Sequence, residues 1–197
     1  MHRAVRMAMF AQLSLFFFLT ICFLFMPHFL LEPNEGGVSN YGVHARTVIP
    51  YTLAFGLCGV LTLLAAKALP HETPNRRALQ WILSLAGSLY ILVLISTYTY
   101  QVNNVFDTIH VYAGIGLFLL EAVAAIWLAR SSIRDALQVV SLAVQIVGCI
   151  LSVLTYFGYL HVLFIAEMLT NIGFGALLVH AIGRTVTSEM VPSVEPS

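Results

Sequence analysis

Charged side chains are scarce in this chain. Lys and Arg total 9 and Asp and Glu total 9, so charged residues make up 9% of 197 and the formal net charge is zero. A protein that binds nucleic acid neutralises phosphates with clustered Lys and Arg. No such excess exists here, and the composition therefore argues against nucleic acid as a partner.

Cysteines and catalytic motifs are also few. Cys22, Cys58 and Cys149 stand singly in apolar runs, without a CxxC pair. Such spacing predicts neither a disulfide framework nor a thiolate metal site, and no CxxCH motif offers covalent haem attachment. A phosphate-binding loop, a serine nucleophile elbow and an HExxH zinc motif are absent as well. The sequence therefore does not decide whether the protein is an enzyme.

Long hydrophobic runs are abundant instead. Hydrophobic residues make up 59% of the chain and the mean hydropathy is +0.90. Six runs have the length of about 20 residues that a bilayer-spanning helix needs, at 7–26, 47–66, 78–100, 109–129, 136–156 and 162–182. They predict an all-α polytopic membrane protein, with one six-helix domain over residues 1–184 and a flexible cytoplasmic tail over 185–197. The first run lacks a small-residue cleavage pattern, so we expect a retained span rather than a signal peptide.

The basic residues predict an orientation. Eight of the nine fall on the side that carries both termini, and only Arg46 falls on the other: Arg3, Arg6, Lys67, Arg76, Arg77, Arg130, Arg134 and Arg184 share the first side. The positive-inside rule then places both termini in the cytoplasm. The longest joint, residues 27–46, lies on the outer side. Its prolines and glycines predict turns rather than a helix, and it is long enough to fold over the bundle.

Histidines and carboxylates gather near the predicted outer boundary. This group comprises His28, Glu32, Glu35, His44, Asp107, His110 and His161. Asp107 precedes His110 by three residues at a helix start, where it can orient the imidazole or simply cap the helix. Asp107, His110 and His161 are the candidate ligands of a metal such as zinc, and His110 with His161 is the candidate pair for haem.

The fourth span carries a carboxylate in its interior. Glu121 lies about 18 Å below the predicted outer boundary, and Gln145 on the fifth span reaches a similar depth. Two interpretations stay open: a protonated Glu121 hydrogen-bonded to Gln145 for structural reasons, or a proton-carrying carboxylate. Gly114 and Gly116 predict a tight helix contact on the same span.

The sixth span adds a shallower polar pair. Glu167 lies about 8 Å inside the predicted boundary, and Asn171 follows one turn below on the same face. If the fourth and sixth spans are neighbours, this pair joins the outer histidines. The predicted outer pocket then consists of Asp107, His110, His161, Glu167 and Asn171.

The first outer joint reads Gly36-Gly37-Val38-Ser39-Asn40-Tyr41-Gly42, and Thr47 and Pro50-Tyr51 open the next span. This sequence pattern resembles that of the Frag/DRAM/Sfk-like six-helix membrane proteins and related bacterial membrane proteins of unknown function. Those proteins place a Ser-acid-x-Gly turn after the first span and a His near the start of a later one, which Ser39 to Gly42 and His110 match. Asn40 stands where an acid is often found. The resemblance implies a lipid-associated role, and the family shares no single established catalysis.

Three functions follow from these residues. The leading hypothesis is a non-enzymatic membrane protein whose outer pocket binds a lipid head group or a small solute, with membrane lipids as partners. The second is a metal-dependent hydrolase at the outer leaflet that uses Asp107, His110 and His161. The third is a proton-coupled transporter that uses Glu121 and Glu167. Zinc enters through the second hypothesis and haem through the candidate pair of His110 and His161. The sequence predicts no oligomeric state.

Overall fold

The computed structural model describes residues 2–30, 37–97, 105–132 and 135–187. These ranges contain six α-helices and no strand: α1 Arg3–Phe25, α2 Val48–Lys67, α3 Arg76–Thr97, α4 Val105–Ser132, α5 Ala136–Tyr156 and α6 Leu163–Thr187. All six are long and apolar enough to cross a membrane. The prediction of an all-α chain with six such helices is confirmed.

Several helices extend beyond the predicted spans. α1 begins at Arg3, α4 runs from Val105 to Ser132, and α6 continues to Thr187. Hydropathy detects only the apolar middle of a helix, whereas the polar turns at each end stay helical outside the hydrocarbon. The predicted tail is therefore helical as far as Thr187. Its remainder, 188–197, and positions 98–100 of the third predicted span lie outside the described residues.

Buried apolar side chains form two cores, one in each half of the bundle. The first joins the start of α1, the end of α2, the start of α3 and the ends of α4 and α6, and we call it the terminal-half core. The second joins the opposite ends of α1 to α4 with the segment around Tyr41, and we call it the loop-half core. Consecutive helices are thus antiparallel, and the start of α1 and the end of α6 lie on the same side, which we call the terminal side.

The last two helices pack closely and form the α5–α6 hairpin. A Cβ atom on Gly148 would lie 2.5 Å from the Thr170 backbone nitrogen, and one on Gly173 would lie 2.6 Å from the Gln145 nitrogen. Glycine is required here because the helix backbones nearly touch. The predicted tight contact at Gly114 and Gly116 is wrong: a Cβ on Gly114 would meet nothing within 4 Å, and one on Gly116 would lie at an ordinary contact distance of 3.7 Å from the Leu89 side chain. α6 also contacts α1 and α4, which closes the bundle.

The joint between α1 and α2 folds into the loop end of the bundle. Its residues Val38–Val43 form a short helix, the loop 3₁₀ helix, which packs against α2, α3 and α6. Thr47 donates a hydrogen bond to the Tyr41 carbonyl at 2.7 Å, and the Tyr41 hydroxyl donates to the Met26 carbonyl at 3.3 Å. These bonds fix the segment to both flanking helices. Glu32 and Glu35 lie outside the described residues.

Candidate functional site

The interior carboxylate of α4 pairs with a tyrosine. Glu121 is 1% exposed, and its Oε1 lies 2.8 Å from the hydroxyl of Tyr90 on α3. The predicted bond from Glu121 to Gln145 is absent, since neither amide atom of Gln145 has a hydrogen-bond partner among the described residues. The reason lies in the helix order: α3 contacts α4 directly, whereas α5 packs chiefly against α6.

The Tyr90 hydroxyl also reaches across the bundle to α6. It lies 2.8 Å from Oδ1 of Asn171, and the Asn171 amide nitrogen donates to the Glu167 backbone carbonyl at 2.9 Å. Glu167 and Asn171 therefore share one face of α6, as predicted from their spacing. α4 and α6 are in contact, so the condition under which polar residues of the fourth and sixth spans can share one pocket is met. Tyr90 is the side chain that connects Glu121 to this face.

Glu167 in turn holds the loop 3₁₀ helix. Its Oε2 accepts a hydrogen bond from the Val38 backbone nitrogen at 2.6 Å. A Cβ atom on Gly37 would lie 2.6 Å from Glu167 Oε1, so the carboxylate occupies the space that any other residue at position 37 would fill. Gly37 thus leaves open the space that a side chain from α6 occupies.

His110 binds the same loop helix from the other side. Its Nε2 lies 2.9 Å from the Ser39 hydroxyl, and its Nδ1 lies 3.2 Å from the hydroxyls of Ser96 and Thr97. Thr97 donates to the Val93 carbonyl at 2.6 Å, so its oxygen is left to accept. Nδ1 therefore carries the proton and Nε2 accepts from Ser39. Hydroxyl groups, rather than Asp107 alone, orient this imidazole.

The predicted metal ligands do not assemble. His161 is exposed on the α5–α6 connection and makes no hydrogen bond or ion pair with the described residues, while both ring nitrogens of His110 contact hydroxyls. Asp107 lies half-buried in the first turn of α4, where its charge acts on His110. Within the described ranges, no three His, Cys, Asp or Glu residues are grouped to hold a metal ion. The triad of Asp107, His110 and His161 is therefore wrong as a metal site, whereas the pairing of His110 with His161 at a haem stays a prediction.

An ionic cluster lies at the terminal end of the α5–α6 hairpin. Asp135 Oδ2 is 2.6 Å from the Arg184 guanidinium and 3.0 Å from His180 Nε2. Asp135 is also the N-cap of α5, where Oδ1 accepts from the Gln138 backbone nitrogen at 3.0 Å. That hydrogen bond, followed by the charges of His180 and Arg184, lowers the pKa of Asp135. The cluster fastens the two helices of the hairpin at their polar ends.

Two buried amides lie between the apolar cores. Gln12 on α1 and Gln145 on α5 are almost fully buried, and Gln12 Oε1 and both amide atoms of Gln145 have no hydrogen-bond partner among the described residues. Gln12 lies beside Gly175 and Gln145 beside Gly173, on opposite faces of α6. The middle of the bundle therefore holds polar groups on several helices, with Glu121 as its only carboxylate among the described residues.

Sequence reasoning missed the residues that connect these groups. Tyr90 was not singled out, although a tyrosine in the middle of an apolar span needs a partner for its hydroxyl. Ser39 and Gly37 stand out in the sequence only as turn residues and through the family resemblance. Ser96 and Thr97 were not considered, because a hydroxyl near a helix end also satisfies itself on its own backbone.

Comparison with known proteins identifies no relative of this chain. No family model, curated protein or solved structure matches the chain. The fold and the site by themselves define a class: a bundle of six membrane-compatible helices with a carboxylate in its interior, hydrogen-bonded through Tyr90 to a second helix face. The resemblance to the Frag/DRAM/Sfk-like proteins stays a prediction.

Proposed function

We propose that the protein is a proton-coupled membrane transporter in which Glu121 carries the proton and Glu167 controls the loop end. The observation that carries the proposal is the series of hydrogen bonds that runs from Glu121 through Tyr90 and Asn171 to the backbone carbonyl of Glu167. The carboxylate of Glu167, a separate group of that residue, accepts from the Val38 backbone nitrogen. Ionisable groups at membrane depth are costly and mark substrate, ion or proton pathways. Here the series links one of them, Glu121, to the residue that carries the other.

The composition of the series favours coupling over simple proton conduction. A tyrosine hydroxyl can accept one proton while it gives up another, but the amide of Asn171 does not readily do so. Asn171 therefore positions Tyr90 rather than relaying protons. Proton uptake by Glu121 then changes how helices are bonded to one another, which is what a transporter needs and a proton channel does not.

The terminal-half core supports the same conclusion. Below Glu121 lies the apolar cluster that includes Leu83, Ala124 and Phe174, and the buried polar side chains Gln138 and Ser141 of this half do not belong to it. Such a core has no groups to pass a proton onward. Glu121 is thus hydrogen-bonded to groups of the loop half, and apolar packing separates it from the terminal end. This arrangement is expected in one state of an alternating-access cycle.

The orientation belongs to this proposal. Eight Lys and Arg residues on the predicted inner side of the sequence against Arg46 on the predicted outer side favour an orientation with both termini in the cytoplasm. Glu167 and the loop 3₁₀ helix then face outside. Fusing a fluorescent protein or alkaline phosphatase to the C-terminus checks this: fluorescence without phosphatase activity is expected, and the reverse pattern would contradict it.

A pH-gradient experiment tests the function. Purified protein is placed in liposomes that contain a pH-sensitive dye, a pH gradient is imposed in either direction, and amino acids, sugars, nucleosides and inorganic ions are added singly. We expect one solute to accelerate loss of the gradient, and Glu121→Gln to abolish the acceleration. Glu72→Gln, at an exposed carboxylate between α2 and α3, is the matched control and should behave as the wild type. Wild-type liposomes that respond to no solute more than the Glu121→Gln liposomes would overturn the proposal.

A second candidate is the binding of a small polar solute or a lipid head group at the loop end. It is favoured by the convergence of the Ser39, Ser96 and Thr97 hydroxyls on His110. These groups satisfy one another, so a ligand would have to displace Ser39. Retention of the same phospholipids by wild-type protein and His110→Ala after purification would argue against a lipid at this place.

A further inference from the structure

The hydroxyl of Tyr90 has two acceptors and one hydrogen. Glu121 Oε1 and Asn171 Oδ1 each lie 2.8 Å from it. The Asn171 amide cannot be turned to offer a donor, because its nitrogen already donates to the Glu167 carbonyl at 2.9 Å. Oδ1 therefore faces Tyr90 and can only accept. The hydrogen of Tyr90 goes either to Asn171 or to Glu121.

The protonation state of Glu121 decides between these two arrangements. A protonated Glu121 donates to the Tyr90 oxygen, and Tyr90 donates to Asn171, so both short contacts are hydrogen bonds. An ionised Glu121 is the stronger acceptor and takes the Tyr90 hydrogen. Asn171 Oδ1 then faces a lone pair of the Tyr90 oxygen, and the bond from α3 to α6 is lost. The observed pair of distances matches the protonated state.

The lost bond lies between two parts of the bundle. Tyr90 and Glu121 belong to α3 and α4, whereas Asn171 belongs to the α5–α6 hairpin, whose helices touch at Gly148 and Gly173. A hairpin joined so tightly responds as one unit. Because Glu167 on the same helix holds Val38, a displacement of α6 also changes the support of the loop 3₁₀ helix.

We infer that Tyr90 is a positioning residue that couples the protonation of Glu121 to the placement of the α5–α6 hairpin, holding the hairpin when Glu121 is protonated and releasing it when Glu121 is ionised. The inference deepens the proposed function and rests on it. The titratable groups that interact electrostatically with Glu121 come from four helices: Cys58 on α2, Tyr90 on α3, Cys149 on α5 and Glu167 on α6. None of them is a cation, so the balance at Tyr90 is set by the proton on Glu121.

Spin-label distances on the full chain test the coupling. Labels at Ile49→Cys on α2 and Tyr159→Cys on the hairpin, both at exposed positions, are introduced with Cys149→Ser and measured in lipid nanodiscs across a pH series. The infrared carboxyl band that disappears in Glu121→Gln reports the protonation of Glu121 in the same samples. The distance distribution of the wild type should shift over the pH range in which that band is lost.

The variants separate coupling from fold maintenance. Tyr90→Phe should keep the titration of the Glu121 band and lose the pH-dependent shift in distance. Glu121→Gln should hold the distance of the protonated state at every pH, because its amide can donate to Tyr90. Tyr41→Phe removes another buried phenol hydroxyl and should retain the wild-type shift. If Tyr90→Phe does not fold, Asn171→Leu removes the same bond from the other side and carries the test.

A wild-type shift that persists in Tyr90→Phe or Asn171→Leu would overturn the inference, and so would a distance that stays constant while the Glu121 band titrates. These outcomes are distinct from failure of the proposed function. Liposomes that respond to no solute, together with a distance that still follows the Glu121 band, would remove the transporter and leave the coupling in place. A Glu121 band that never titrates would remove both.

Discussion

The two halves of the bundle use polar residues in opposite ways. In the loop half, Tyr90, His110 and Glu167 lie inside and bond helices to one another and to the loop 3₁₀ helix. In the terminal half an apolar core fills most of the interior, with Gln138 and Ser141 buried at the start of α5, and the charged groups Asp135 and Arg184 pair at the polar end of the hairpin. This difference indicates which half can respond to pH. Hydrogen bonds in the loop half change when a group gains or loses a proton, whereas apolar packing in the terminal half does not.

The largest expected effect is on the terminal-half core. Phe174 is fully buried there, and Phe174→Ala should destabilise the protein by about 3–5 kcal/mol, the scale of large-to-small substitutions in well-packed interiors. The loss comes from van der Waals contacts, so it should be equal at acidic and neutral pH. Equilibrium unfolding with SDS in mixed micelles measures it. In the loop half, Tyr51→Phe should cost only about 1 kcal/mol for one lost hydrogen bond to Thr97. Equal losses of stability in Phe174→Ala and Tyr51→Phe would contradict the difference between the two halves.

A second prediction concerns the hairpin that spans both halves. Gly148→Ala should cost about 1–3 kcal/mol, because its Cβ would lie 2.5 Å from the Thr170 nitrogen and must push the helices apart. Gly114→Ala is the matched control in open surroundings, and alanine there should be neutral or stabilising by up to about 1 kcal/mol through helix propensity. Thermal unfolding in detergent compares the two. A Gly148→Ala protein as stable as Gly114→Ala would show that α5 and α6 are not held together at this point.

A third prediction concerns the boundary between the cores. Gln145 is buried with neither amide atom bonded to the described residues, so Gln145→Met should leave stability unchanged or raise it by about 1 kcal/mol. The same unfolding assay measures the change, with Leu142→Met as a conservative control on the same helix. A Gln145→Met protein that is clearly less stable than the wild type would mean that the amide is satisfied in the membrane and contributes to the fold.

The smallest expected effect is at the ionic cluster. The Gln138 backbone nitrogen, His180 and Arg184 lower the pKa of Asp135, so the stabilisation from its ionised form is complete above the ordinary Asp value of about 4 and is lost as the pH falls through the lowered value. Asp135→Asn keeps the N-cap and removes the charge. Its melting temperature should lie slightly below that of the wild type at neutral pH, and the difference should vanish in strong acid. A difference that grows with acidity would contradict this assignment.

The fold was predictable because the bilayer demands it. Runs of about 20 apolar residues at 47–66 and 136–156 have few stable alternatives to a spanning helix, since the backbone must satisfy its own hydrogen bonds in lipid. The spacing of Glu167 and Asn171 likewise fixed their shared face, because the period of a helix is known in advance. What failed were pairings between helices, as for Glu121 with Gln145 and for the metal triad.

The sequence by itself therefore determined the six helices, their alternating direction and which residues share a face, because each of these depends on local geometry and on the thickness of the membrane. Only the tertiary structure decided that Tyr90 meets both Glu121 and Asn171, that Glu167 occupies the space beside Gly37, and that His161 is exposed. These facts depend on the order and rotation of helices around the bundle, and similar apolar surfaces allow many such arrangements until close backbone contacts select one.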